Sequence, residues 1–290
     1  MVACSARPIL QTPLRRKLAR FAPKVTVMTP HQLLQHFDNG QLWPSRLDPQ
    51  LDVAKAYRTA LDIRSLRIQR GEHPVGFKIG FTNRTIWPVY QVFAPIWGTV
   101  WNTTLQDAEE SNQISLASSC QPRLEPEVVF GMKSQPPKQA SMNELFAAID
   151  WIAPGFEVVQ CHLPGWKFRA AETVADGSLH ARLLVGPRQA VSEVASDAQG
   201  LIEQLSAMPA TLFREGQPID QGVGANVLDS PLHALMHFLQ ELRLCPGAPD
   251  LIAGDVVTTG TLTDAHAVQA GEHWRATFGS VLPDLNIVFK

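Results

Sequence analysis

Apolar positions recur with two different periods along the chain, and the change from one to the other orders the elements. In LDVAKAYRTALDIRSLRIQR (51–70), Val53, Ala56, Tyr57, Ala60 and Leu61 follow helical spacing, and Gly71 stops the pattern. VGFKIGF (75–81) alternates instead and is rich in β-branched and aromatic residues, as a half-buried strand is. A turn-rich segment follows, carrying Trp87, Pro88, Pro95, Trp97, Gly98 and Trp101. Ser141 and Glu144 make a capping box ahead of an apolar stripe of Met142, Leu145, Phe146, Ile149 and Ile152. A helix is expected there, ended by Pro154-Gly155. A further helix is expected from Ser230, with Pro231 at its first position and Leu232, Leu235, Met236 and Leu239 on its core face. The C-terminal part reads as strands at 255–263 and 285–290 with a turn at Gly271. Helices come first, then strands interrupted by single helices, without regular βαβα alternation. The expected class is α+β.

Composition narrows this. Hydrophobic residues make up 45% of the 290 and charged residues 18%, spread along the whole length, which excludes wholesale disorder. No run approaches the ~18 apolar residues needed to span a bilayer, so no membrane segment is expected. With 25 Lys and Arg against 27 Asp and Glu the net charge is −2, and no overall basic field points to nucleic acid. The near-neutrality hides an asymmetry. Residues 1–37 hold six of the cations (Arg7, Arg15, Arg16, Lys17, Arg20 and Lys24) and no acid, which leaves the rest of the chain at −8. The acid-free, Arg-rich stretch ending at Met28 reads as an organellar presequence, a solvated arm, or an extension upstream of a start at Met28. Cys4, Cys120, Cys161 and Cys245 are scattered, with no CxxC pair. That pattern argues for reduced thiols and a cytoplasmic setting, and against a zinc ribbon or finger.

Several familiar signatures are absent, among them GxSxG, the P-loop, HExxH and GxGxxG. The most informative local pattern is Arg123-Leu124-Glu125-Pro126-Glu127-Val128-Val129-Phe130. On a strand, side chains two apart share a face, so Glu125 and Glu127 point together. Pro126 argues against a helix and suits an edge strand or a bulge. Two carboxylates so placed repel unless a cation lies between them or one is protonated. A third acid, Glu157, lies on the short apolar strand Gly155–Val159. Three carboxylates without Cys or His suit a hard divalent ion, Mg²⁺ or Mn²⁺, although a solvated strand face has the same spacing. Lys78, inside an apolar strand, must snorkel, pair, or serve as a cationic substrate ligand. Among the nine histidines, His162 is the one placed for proton transfer, five residues after Glu157, although a surface or core histidine fits the same position. Trp87, Trp97 and Trp101 line a pocket or pack in the core.

Taken together, these segments resemble the fumarylacetoacetate hydrolase superfamily, in its 2-oxopent-4-enoate hydratase and 4-oxalocrotonate decarboxylase branch. The resemblance runs from about residue 50 to the C-terminus. Its signposts are Ala56-Tyr57, GFKIGFT (76–82), PIWG (95–98), LEPEVVFG (124–131), the Glu157 segment, GWKF (165–168), TVAD (173–176), SPLHAL (230–235) and AGDVVTTGTLT (253–263). The resemblance implies a mixed β-roll preceded by a helical N-terminal region. The division expected is a basic arm at 1–28, a helical region at 29–72 and the catalytic domain at 73–290. It implies Mg²⁺ or Mn²⁺ on Glu125, Glu127 and Glu157, and Lys78, Thr82 and Thr261 toward a small anionic 2-oxo or 2-hydroxy acid. It also implies a homo-oligomer, a dimer or larger, with a complex with a decarboxylase as a further option.

The activity implied is a hydratase of 2-hydroxy-2,4-dienoates in aromatic catabolism, working through a metal-stabilised enolate. C–C hydrolysis of acylpyruvates and 2-oxo acid decarboxylation on the same scaffold stay open, as does a non-catalytic member that binds metal and ligand. Two departures bear on this choice. Many relatives carry Asp at the second position of the P-x-x-G turn, where this chain has Ile96. Relatives also often follow the third metal acid with Ile-x-Asp-Ser-Arg, where this chain runs Val158-Val159-Gln160-Cys161-His162. His162, then a metal-bound water, are the replacement proton donors expected.

Overall fold

The computed structural model describes residues 28–290, so the basic arm, apart from Met28, lies outside the described residues. Two helices come first, α1 (Pro30–Asn39) and α2 (Val53–Gln69). Thr29 and Gln32 close a capping box at the start of α1, and the Asp52 side chain accepts the Lys55 N–H at the start of α2. Then follow β1 (Pro74–Gly80), the single turn α3 (Trp87–Tyr90), β2 (Ile96–Trp101), β3 (Leu105–Asp107), β4 (Gln113–Ile114) and β5 (Arg123–Met132). The middle of the chain gives α4 (Met142–Ala147), β6 (Ile149–Val159), α5 (Ala170–Ala175), β7 (His180–Val185) and β8 (Gln189–Ala190). Next are α6 (Val191–Val194), α7 (Ala198–Ala207), the hairpin β9 (Pro209–Arg214) and β10 (Gln217–Val223), and α8 (Pro231–Leu244). The chain ends on β11 (Val256–Thr261), β12 (His266–Ala267), β13 (His273–Phe278) and β14 (Leu282–Phe289).

The strands form two sheets. The larger runs β2-β1-β11-β5-β6-β7-β3, with β12 beside β5 and β8 beside β6, and the smaller runs β10-β9-β13-β14-β4. In the larger sheet β1–β11 and β3–β7 are parallel while β11–β5, β5–β6 and β6–β7 are antiparallel, so it is a mixed sheet. The α+β class and the mixed β-roll after N-terminal helices are what the chain adopts. Its main core joins the two sheets to α7 and α8 through fully buried Phe130, Phe156, Phe238, Phe278 and Phe289. A second apolar cluster, with Leu33, Trp43, Ala56 and Val174, seats α1 and α2 against α5.

Two local expectations need correction, and one pair of alternatives is resolved. The capped helix stops at Ala147, and Ile149, Ile152, Pro154 and Gly155 belong to β6. β6 pairs with β5 along its whole length, from Arg123–Val159 to Met132–Ile149. That ladder buries both strand faces and outweighs the local helical period. Of the two settings that suit Pro126, the bulge is the one found: it lies on a central strand, where the ladder between β11 and β5 breaks beside it, between Thr258 and Thr261. Trp97 and Trp101 are strand residues of β2, and with Phe37, Arg64 and His180 they bound a cavity of about 60 Å³ under the N-terminal helices.

One close approach holds β1 against β11. Gly76 has φ +153°, and a Cβ placed there would lie 1.9 Å from the Val256 carbonyl oxygen. Gly76→Ala is expected to destabilise the fold by about 2–4 kcal/mol, backbone strain and overpacking adding, as read by urea unfolding.

Candidate metal centre and active-site cavity

Strand register gathers the acids. Glu125 and Glu127 share one face of β5, and Glu125 lies directly opposite Glu157 on β6. Carboxylate oxygens from all three residues lie within 4.8 Å of one another. Lys78 enters from β1, whose partner β11 separates it from β5, and its Nζ stands 3.0 Å from Glu157 Oε2. Lys78, Glu127 and Glu157 are buried, while Glu125 is partly open toward a cavity.

The bulge at Pro126 explains how Glu127 is held. Gly260, at φ +103°, turns its N–H out of the ladder and donates to Glu127 Oε2 at 2.7 Å. The Thr258 hydroxyl donates to the same oxygen. Glu127 Oε1 is left buried without a partner. Only glycine fits at 260, since a Cβ would lie 2.1 Å from Thr82 Oγ1.

Burial and mutual repulsion set the charge states. Burial pushes Glu125 up to about 7, with Lys78 and Arg123 partly opposing and Glu157 adding to the rise. Burial, then Glu157 and Glu125, hold Glu127 well above the usual carboxylate range. Burial alone would raise Glu157 too, but the charge of Lys78 and the hydrogen bond from His180 outweigh it and keep Glu157 ionised. Burial alone would lower Lys78, yet the attraction of Glu157, Glu125 and Glu127 holds it above its ordinary value. One lysine therefore faces three acids, of which Glu127 holds on to its proton and Glu125 does so below about 7. A hard divalent cation fits this donor set, because it meets the orphaned Glu127 oxygen and relieves the repulsion that raises Glu125 and Glu127.

The centre opens into a cavity of about 500 Å³ whose walls include Lys78, Thr82, Ile96, Glu125, Ser178 and Thr261. Tyr90, Trp166 and Phe168 add an aromatic side, and Arg123 lies over the Trp166 ring at 4.3 Å. The Thr261 hydroxyl donates to Thr263 O at 2.9 Å. Ile96 puts an aliphatic side chain on the wall.

His162 is not brought to this cavity. Its ring is buried between Phe37 and Trp43, with Nδ1 2.6 Å from Asp176 Oδ1. After Val159 the chain leaves the sheet, so nearness to Glu157 in sequence is lost in space. The expectation of His162 as proton donor has no geometric support. The histidine that does meet the site is His180. It returns on β7 opposite Val159, and its Nδ1 lies 2.8 Å from Glu157 Oε1. It sits four residues beyond the TVAD segment, and no spacing rule marks it, because its place depends on the β6–β7 ladder.

No family model matches the chain. It is 30% identical over 230 residues to a 2-hydroxyhexa-2,4-dienoate hydratase of Comamonas testosteroni, covering 78% of this chain and 82% of that one. The chain belongs to the fumarylacetoacetate hydrolase superfamily, in the branch of the 2-oxopent-4-enoate hydratases and 4-oxalocrotonate decarboxylases. A 4-oxalocrotonate decarboxylase of a Pseudomonas species is also 30% identical, over 83% of this chain and 90% of that one. The solved 4-oxalocrotonate decarboxylase of Pseudomonas putida G7, complexed with magnesium and adipate, shares the fold of this superfamily member. Its TM-score is 0.77 at 23% identity, over 91% of this chain and 99% of that one. No helix among the described residues is long and apolar enough to cross a membrane.

The raised acids give a pH dependence. A carboxyl whose folded pKa exceeds its unfolded value binds more protons when folded, so stability falls as pH rises between the two. For Glu125 that window runs from the ordinary 4.5 to about 7. Stripped of metal by a chelator, the protein is expected to lose stability across this window. Glu127→Gln is expected to raise its melting temperature at pH 8 by about 2–4 °C, measured by calorimetry.

Proposed function

We propose that the protein is a divalent-metal-dependent hydratase that adds water to a 2-hydroxy-2,4-dienoate, a substrate of the 2-oxopent-4-enoate type. The observation that carries this reading is the cluster of Glu125, Glu127 and Glu157 beside buried Lys78 at the base of the cavity. The relationship to a dienoate hydratase supports it. Glu125, Glu127 and Glu157 would hold Mg²⁺ or Mn²⁺, which supplies Lewis acidity and a template for the carboxylate and keto oxygen of a 2-oxo acid.

The chain's own groups do the rest. Lys78, fixed in its cationic form, offsets the negative charge that develops as the 2-oxo acid enolises. Thr82 and Thr261 flank the polar end of the substrate, and Thr261 keeps its hydroxyl on Thr263, so it contributes shape more than a free donor. Ile96, Tyr90 and Phe168 present apolar surface to the carbon chain and limit water around it. With Ile96 on the cavity wall and His162 out of the cavity, water in the cavity is the proton source this reading assigns.

Decarboxylation of a 2-oxo acid is the second reading, favoured by the coverage of 90% of a 4-oxalocrotonate decarboxylase. A homo-oligomer, alone or with a decarboxylase, accompanies either reading. Incubation with 2-hydroxypenta-2,4-dienoate or 4-oxalocrotonate, with products identified by NMR, separates hydration from loss of CO₂. Turnover is expected to vanish with chelator and return with Mg²⁺ or Mn²⁺. Glu127→Ala is expected to abolish Mg²⁺ binding in calorimetry, and unchanged affinity would sink the metal assignment. Lys78→Met is expected to lower kcat/KM by about 10²–10³ with the metal still bound. A protein that binds the metal yet turns over no dienoate or acylpyruvate would instead be a ligand-binding member of the family.

A further inference from the structure

His180 contacts the third acid of the centre without lining the substrate cavity, and its surroundings fix the direction of each hydrogen bond. An ionised carboxylate only accepts, so the Nδ1–H of His180 donates to Glu157 Oε1 over 2.8 Å. A neutral ring that carries its proton on Nδ1 offers Nε2 as an acceptor. The Thr104 hydroxyl then donates to Nε2 at 2.8 Å, the nearer of its two acceptors, Trp101 O lying at 3.2 Å. That hydroxyl in turn accepts the Trp101 backbone N–H at 3.1 Å. A chain of three hydrogen bonds thus runs from the backbone of β2 through Thr104 and His180 to Glu157.

The other oxygen of Glu157 faces Lys78 at 3.0 Å. Oε1 of this acid is therefore the oxygen held by a hydrogen bond, from β7, while Oε2 has only the ion pair with β1 and no hydrogen-bond partner, which leaves it open toward a cation. The backbone around His180 is built to keep the ring there. Gly98 lets the chain before β7 approach β2 so closely that a Cβ would lie 2.5 Å from Gly177 O. Ser178 adopts φ 56° and donates its hydroxyl to Trp97 O at 2.6 Å. His180 itself is 3% exposed.

We propose that His180 is a positioning residue that orients Glu157 for the divalent cation, with Thr104 fixing the ring. The inference rests on the metal-dependent reading above and deepens it. A histidine donating to a ligating carboxylate fixes its rotamer, and loss of such outer partners weakens metal affinity by about 10–100-fold. The role differs from that of Lys78, which faces both the acids and the cavity. His180 reaches no substrate-lining surface, so its effect reaches the reaction only through the metal.

The test is Mn²⁺ binding by titration calorimetry on the full chain, with no substrate present. Binding by the wild-type protein comes first, and its absence would defeat the metal reading itself rather than this inference. Given that binding, His180→Leu fills the space without a donor and is expected to raise Kd about tenfold or more. His180→Asn keeps an N–H close to the Nδ1 position and is expected to stay within about threefold of wild type. Affinity within twofold for His180→Leu, or equal weakening in both variants, would overturn the role. If His180→Leu does not fold, Thr104→Val decides the matter. It removes only the hydroxyl behind the ring, and a several-fold rise in Kd is expected, whereas an unchanged Kd would refute the inference. At saturating Mn²⁺, KM of the variants should match wild type, because His180 does not meet the substrate.

Discussion

Three carboxylates held within 4.8 Å of one another are the constraint to which the centre of this molecule answers. At an effective dielectric near 20, each pair of full charges at that spacing repels by about 3–4 kcal/mol. A fold with a typical net stability of about 5–15 kcal/mol cannot leave such repulsion unanswered. The chain answers it in layers. Lys78 brings a buried positive charge, Glu127 holds its proton, Glu125 titrates near 7, and Glu127 Oε2 is met by Gly260 N–H and the Thr258 hydroxyl. What stays without a hydrogen bond, the second oxygen of Glu127 and Oε2 of Glu157, is the opening for a cation.

Sheet order makes this layered answer possible. β1, β11, β5, β6 and β7 lie side by side, and each contributes one or two polar groups to the same neighbourhood. The break in the β11–β5 ladder serves two needs at once. It accommodates Pro126, which has no N–H to give, and it frees Gly260 N–H for Glu127. Function and fold are therefore coupled through one irregularity. Its glycine cannot be replaced without meeting Thr82, another wall of the cavity.

Much of the site was legible because it follows strand geometry. The two-residue spacing of Glu125 and Glu127 puts them on one face wherever a strand forms, and Lys78 inside an apolar strand announces an unusual environment. The helix end was misjudged at Ile149 and Ile152, whose spacing fits a helix equally well. Pairing with β5, a long-range fact, decided for the strand. The place of His162 follows from a related cause. Closeness in sequence to Glu157 suggested closeness in space, but the chain turns off the sheet after Val159 and buries His162 beside Asp176.

The sequence by itself determined the residue types that carry the chemistry, the mixed class of fold and the family. Those depend on local periodicity and on ordered motifs that survive divergence. Only the tertiary structure decided which histidine serves the centre, which acids keep their protons and which oxygen is left free. These properties arise from distances between strands far apart in the chain, and from the exclusion of water among them. A pKa of about 7 for Glu125, or a hydrogen bond from β7 to β6, exists only once the ladder is closed.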